Sequence, residues 1–212
     1  MATPADKRSF IVPTATLAGI AAVLTVGLAV LANVTRERIV HNQQAWIKEH
    51  LDVLVAPPNY DNDPLADTIE VTAPGLLGTQ APVTAYRMRK AGLPVAVAIR
   101  SIAPNGYRGP IELLVAIAPG GQLLGVQIIR HNETPGLGDA FENRDRGWLE
   151  RFRGLSLSNP PQQRWSVRRD GGDFDAFTGA TITPRAIVGA VRKTLEFYQG
   201  NEDRLYRDGR PQ

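Results

Sequence analysis

The chain contains no cysteine, which excludes disulfides, thiolate-bound zinc and iron–sulfur clusters on this polypeptide. That absence is compatible with an oxidising compartment without demanding one. Histidine is nearly as scarce, with His41, His50 and His131 the full set. His41 and His50 lack the one-turn helical spacing of a metal pair, and His131 with Glu133 has no third ligand close by. No block of like charge occurs: 24 basic residues face 21 acidic ones, with no basic–aromatic pattern of the nucleic-acid-binding kind. There is no phosphate-loop lysine pattern, and Phe141 stands where the third glycine of a dinucleotide fingerprint begun by Gly136 and Gly138 would fall. No His, Lys or Cys constellation suited to side-chain catalysis is evident.

What the chain does have begins at its amino terminus. Residues 9–35 carry no charge and are rich in Leu, Ile, Val and Ala. About 20 apolar residues cross the hydrocarbon of a bilayer, so this run predicts one transmembrane helix with some tilt. A secretory signal is the alternative, but its apolar core is normally shorter, about 7–15 residues. Lys7 and Arg8 before the span balance Arg36, Arg38 and Lys48 after it, so loop charge assigns no orientation. Residues 1–8 read as a tail and 36–64 as a helical stalk followed by a proline-rich linker at Pro57, Pro58 and Pro64. Residues 65–200 form the expected folded domain, and 201–212 a charged, frayed tail.

Strand patterns follow one another within that domain. Residues 68–72 and 83–89 alternate, while 93–102, 111–117 and 123–129 are more densely apolar. The last two flank Ala118-Pro119-Gly120-Gly121-Gln122, a connection suited to an antiparallel hairpin. Residues 139–152 predict one or two short helices and 164–168 a further strand. The expectation is an α+β fold, a mainly antiparallel sheet with packed helices.

Two stretches carry chemistry. The first, residues 131–138, has two glycines and a proline beside Glu133, Thr134 and Leu137, an irregular loop able to offer backbone donors and an apolar surface. The second is Asp175-Ala176-Phe177-Thr178-Gly179-Ala180-Thr181. It precedes a helix whose apolar face is Ala186, Ile187, Ala190, Val191, Thr194, Leu195 and Tyr198, with Thr183 expected as N-cap and Pro184 as first helical residue. Thr181 then lies at a helix N-terminus, where free N–H groups and the dipole favour an anion. Small Gly179 and Ala180 leave its hydroxyl open. Read locally, the same residues also describe an ordinary small-residue turn with a capping threonine.

Asp175-x-x-Thr178-Gly179-Ala180-Thr181 resembles the signal at which flavin transferase esterifies flavin mononucleotide (FMN) onto the final hydroxyl. Gly106-Tyr107-x-Gly109-x-Ile111, His131-x-Glu133-Thr134-Pro135-Gly136-Leu137-Gly138, Trp148 and Phe152 precede it in an order resembling the G subunit of the bacterial Rnf (Rsx) electron-transport complex. The C subunit of the sodium-pumping NADH:quinone reductase shares the flavin domain and is the close alternative. A non-redox membrane-anchored adaptor and a free-standing flavin reductase are the readings from other classes.

The resemblance implies a phosphoester from FMN to Thr181, with Thr178, Gly179 and Ala180 along the phosphate and ribityl chain. It implies ring contacts from Glu133, Thr134, Leu137 and Gly138, with Tyr107 and Trp148 as further ones, and Asp175 as part of the transferase signal. It also implies other Rnf membrane subunits as partners, electron transfer without independent substrate turnover, and a flavin domain on the periplasmic face of the bacterial inner membrane.

Overall fold

The computed structural model describes the backbone of residues 7–142 and 147–207, with side chains throughout except for 7–13, 33 and 36–41. Residues 1–6 of the expected amino-terminal tail, the side chains of Arg36, Arg38 and His41, and residues 143–146 of the 139–152 segment thus lie outside the described residues. The chain divides into two compact units, residues 1–46 and 47–212.

The first unit is helical. Helix α1 (Lys7–Leu54) is one element of 48 residues. Thr14–Ala32 is long and apolar enough to cross a membrane, with mean hydropathy 2.3 and no part of it buried. Nineteen residues at 1.5 Å each reach about 28 Å, close to the hydrocarbon thickness. Thr25 and Thr35 donate their hydroxyls to the carbonyls of Ala21 and Leu31, at 2.8 and 2.7 Å, so these polar groups need no water.

The second unit is built on a five-stranded antiparallel meander in sequence order: β1 (Thr68–Val71), β2 (Val83–Lys90), β3 (Leu93–Gly106), β4 (Gly109–Ile117) and β5 (Leu123–Arg130). Helix α2 (Pro74–Leu77) is a single turn between β1 and β2, and α3 (Ile182–Tyr206) closes the fold. Alternate residues of β4 explain its dense apolar content. Ile111, Leu113, Val115 and Ile117 face a core shared with Ile187, Val191, Leu195 and Tyr198 of α3. Leu114 and Ala116 face a second core made with Leu51, Leu54 and Val55 at the end of α1 and with Tyr60. A strand buried on both faces reads as a continuous apolar run rather than an alternation. The α+β reading holds.

Several local expectations change. From Ile47 onward the stalk stretch belongs to the folded unit, because Leu51 and Leu54 are core residues. Nor is the proline-rich segment free. The Asp61 N–H donates to the Arg89 carbonyl at 2.8 Å, while the Asn62 amide donates to the Arg87 carbonyl and accepts from the Arg89 N–H. These bonds fix it along the edge of β2. Residues 164–168 form no strand: 3₁₀ turns at Gln162–Arg164 and Arg168–Asp170 flank a single bridge between Val167 and Phe174. The alternation of buried Trp165 and Val167 is real, but it serves an aromatic cluster instead of a ladder. Within 139–152 the described helices are the 3₁₀ turns Ala140–Glu142 and Leu149–Phe152. Of the expected frayed tail, residues 201–206 continue α3 and include fully buried Leu205, while residues 208–212 lie outside the described residues.

That aromatic cluster positions the threonine motif. Phe152 stacks on Phe174 with centroids 4.9 Å apart, and Trp165 lies 5.2 Å from Phe174. Trp148 packs edge-on against Phe152 and Phe177, at 5.4 and 5.0 Å. Phe174 and Phe177 are thereby anchored on either side of Asp175, and the backbone that follows emerges at a fixed place.

Candidate functional site

The backbone after Phe177 turns sharply. The Ala180 N–H donates to the Phe177 carbonyl at 3.0 Å, and Gly179 has φ +80°, a left-handed value that a β-carbon would strain. A β-carbon there would also come within 3.1 Å of Leu137. Helix α3 begins immediately afterwards, with Thr181 as its N-cap. The expected start at Thr183–Pro184 is thus two residues late. Pro184 sits in the first turn, where its missing donor would have had no helical partner anyway. Thr183 is buried and uses its hydroxyl elsewhere.

Thr181 has φ −82° and ψ −24°, helical values rather than the extended ones of a capping residue, and its side chain makes no capping bond. The first turn of α3 holds no acidic residue. The positive end of the helix dipole thus meets no acid from its own first turn, and the carboxylate that reaches that turn is Glu133, on the Thr183 hydroxyl.

Thr181 opens onto a cleft of about 130 Å³ lined by Tyr107, Thr134, Leu137, Gly138, Gly179, Ala180, Ile182 and Thr183. Three stretches far apart in sequence thus meet: the β3–β4 hairpin tip, the loop after β5, and the start of α3. Tyr107, Ile182 and Leu137 are 63, 45 and 42 % exposed, so the cleft is rimmed by apolar surface open to solvent. Of the residues marked from sequence, Tyr107, Thr134, Leu137, Gly138, Gly179, Ala180 and Thr181 come together here.

Thr178, Glu133 and Trp148 do not line the cleft. Thr178 is exposed on the outer corner of the turn. Trp148 is buried, and its indole N–H donates to the Asp175 carbonyl at 3.0 Å, so it braces the motif. Glu133 is also buried: it accepts the Arg108 N–H at 3.1 Å on Oε1 and the Thr183 hydroxyl on Oε2. The Asp175 carboxylate pairs with Arg151 and with Arg168, the latter at 3.1 Å. The donors expected from the glycine loop are partly spent as well. The N–H groups of Leu137 and Gly138 both reach the Thr134 carbonyl, at 3.1 and 3.0 Å. Ile182 and Thr183 are the lining residues that sequence reasoning passed over, because a helix start placed two residues late put them outside the site.

One ion pair stabilises the approach. Arg185, in the second turn of α3, is bidentate to Asp170 at 2.6 and 2.8 Å. The Arg185 guanidinium holds the Asp170 carboxyl below its ordinary range, and Asp170 in turn raises Arg185.

Comparison with known proteins matches residues 106–196 to an FMN-binding domain. That span runs from the β3–β4 hairpin tip into α3 and so contains every residue lining the cleft. The chain is 43 % identical over 200 residues to the G subunit of the ion-translocating oxidoreductase complex of Shewanella loihica, covering 94 % of each chain. It is 44 % identical over 202 residues to the corresponding G subunit of Pseudomonas aeruginosa, covering 95 % of this chain and 94 % of that one. Against the G subunit of Vibrio cholerae it is 43 % identical over 195 residues, or 92 % and 93 % of the two chains.

Proposed function

Because the chain belongs to the G-subunit family of ion-translocating oxidoreductase complexes and carries an FMN-binding domain, we propose that it is their membrane-anchored electron carrier, with FMN tied through its phosphate to Thr181. The observation that carries this reading is Thr181 itself, which sits at the start of α3, lines the cleft and makes no capping bond with its hydroxyl. An ordinary N-cap threonine would spend that oxygen on the helix.

The residues present fit such a group. A cleft of about 130 Å³ is well short of the roughly 300–1,000 Å³ that encloses a whole drug-sized ligand, so it suits the phosphate end. The exposed apolar surfaces of Tyr107, Leu137 and Ile182 remain for the ring, which leaves it reachable by partner subunits. The dipole of α3 offsets the remaining phosphodiester charge, by about 1 kcal/mol. Gly179 and Ala180 keep the side-chain bulk low beside the linked oxygen. When bound, FMN supplies reversible electron transfer between partners; the chain's part is to fix its position and surround its charge. Thr14–Ala32 anchors the chain in the bacterial inner membrane, and the flavin domain occupies the periplasmic side, with flavin transferase adding the cofactor there.

The test is an intact-mass measurement on full-length chain made with flavin transferase. The wild type gains one FMN less water, localised to the peptide holding Thr181, and gives a fluorescent band on a denaturing gel. Thr181→Ala gives neither. An unmodified wild type, or a fluorescent Thr181→Ala band, overturns the attachment. The same fluorescence reports the side: a membrane-impermeant quencher should reach it in spheroplasts and not in inverted vesicles.

A further inference from the structure

Glu133 is 4 % exposed, and a buried carboxylate is costly unless its oxygens are matched by donors. Its two donors belong to different segments: the Arg108 N–H at the tip of the β3–β4 hairpin, and the hydroxyl of Thr183 in the first turn of α3. The residue itself belongs to the loop that follows β5 and continues to Gly138. Two glycines close over it. A β-carbon on Gly106 would stand 2.9 Å from Oε1, and one on Gly138 would stand 2.7 Å from Oε2. Hairpin tip, loop and helix start are the three stretches that line the cleft, and this one carboxylate bonds the first and third while belonging to the second.

Resting on the attachment reading above, we infer that Glu133 is a positioning residue, which sets the Thr181 cleft by pinning Thr183 from behind and makes no contact with the flavin itself. A carboxylate can only accept, so Thr183 commits its single hydroxyl proton to Glu133. Thr183 lines the cleft two residues beyond Thr181, with its hydroxyl held by Glu133. Losing either partner frees the helix start to shift against the hairpin tip, and the Thr181 hydroxyl shifts with it.

The experiment uses the full-length chain with flavin transferase and reads the fraction carrying FMN by intact mass, together with the visible circular dichroism of the bound flavin. Glu133→Ala and Thr183→Val should each lower attachment about fivefold or more, and the double variant should fall no further than the worse single, as expected of two residues acting through one bond. Thr183→Ser keeps the hydroxyl. Glu133→Gln can accept from Arg108 and donate to the Thr183 oxygen. Both should attach FMN within about twofold of wild type, with an unchanged flavin dichroism spectrum.

Additive losses overturn the inference, as does normal attachment in Thr183→Val. So does a Glu133→Gln chain that attaches FMN with an altered flavin spectrum, because that is the mark of a direct ring contact. If Glu133→Ala fails to fold, the Thr183→Val and Thr183→Ser pair decides. An unmodified wild type overturns the attachment reading and this inference with it; a modified wild type beside an indifferent Thr183→Val overturns this inference alone.

Discussion

The two ends of α3 are finished in opposite ways. At the C-terminal end the last carbonyls are met by cations. Arg87 donates to the Arg207 carbonyl at 2.8 Å and Arg89 to the Tyr206 carbonyl at 3.1 Å, and both arginines are held by Asp67. Positive charge at that end complements the macrodipole, and the carbonyls left over by the helix are satisfied. The N-terminal end has no acidic residue in its first turn and no side-chain cap, and Tyr107, Leu137 and Ile182 around it are exposed. One helix thus has side chains on its last carbonyls at one end; at the other, the Glu133 carboxylate reaches the Thr183 hydroxyl, and Thr181 is left without a capping bond where a phosphate is proposed. Proteins leave such stability ungained where a site needs it.

The largest expected effect follows from closing the open end. Thr181→Asp places a carboxylate where the helix dipole favours one. Chain made without flavin transferase should unfold at a higher denaturant concentration than Thr181→Ala, by about 0.3–1 kcal/mol. With the transferase present it should carry no FMN, an all-or-none loss on the denaturing gel. Fluorescent Thr181→Asp would remove the hydroxyl from the account. An aspartate no more stable than alanine would mean the field at the start of α3 is already offset.

Opening the closed end should do the reverse. Arg87 is largely buried and pairs with Asp67 at 2.5 Å. Arg87→Ala strands a carbonyl and one side of that pair, and should cost about 3 kcal/mol, the low end for breaking a buried ion pair, since Arg89 still holds Asp67. The folded fraction should attach FMN as well as wild type does. If attachment falls in step with the denaturation midpoint, the two ends are energetically coupled and the contrast between them fails.

The same contrast decides how much could be read from the residues alone. The strands were legible because each keeps its own local pattern, and β4 showed by its unbroken apolar run that both faces are covered. Thr181, Gly179, Leu137 and Gly138 were legible as cleft residues through a motif, not through periodicity. Local pattern misplaced what long-range packing decides. Thr183 followed by Pro184 is a good capping signal, yet a carboxylate 50 residues away claims the hydroxyl, and the helix starts earlier. Trp165 and Val167 alternate like a strand, but the alternation turns them into the buried core beside Phe152 and Phe174, and the stretch pairs through a single bridge. Glu133 and Trp148 fall near the site in the motif order. Burial and hydrogen bonding turn both into supports for it.

The smallest effect belongs to the closed end at alkaline pH. Tyr198 and Tyr206 pack edge to face at 6.2 Å, and the Tyr198 hydroxyl lies 2.8 Å from Glu202 Oε1, which also accepts the Gly120 N–H. Burial, then the nearby Glu202 charge, push the Tyr206 phenol up to about 12 from its ordinary value near 10, against a bond from Tyr198 and the charge of Arg89. Burial, followed by bonds to Tyr206 and Glu202, raises Tyr198 as well. A phenol whose folded value is raised releases its proton more readily when unfolded. Its contribution is complete below pH 10 and is lost as pH rises from there toward 12. Thermal melts should therefore be flat up to about pH 9 and fall across that window. Tyr206→Phe, which removes the titrating group, should melt with a shallower alkaline slope than wild type. FMN attached at Thr181, at the opposite end of the helix, should leave that slope unchanged. A slope that differs between flavin-loaded and flavin-free chain would show that α3 carries strain from one end to the other.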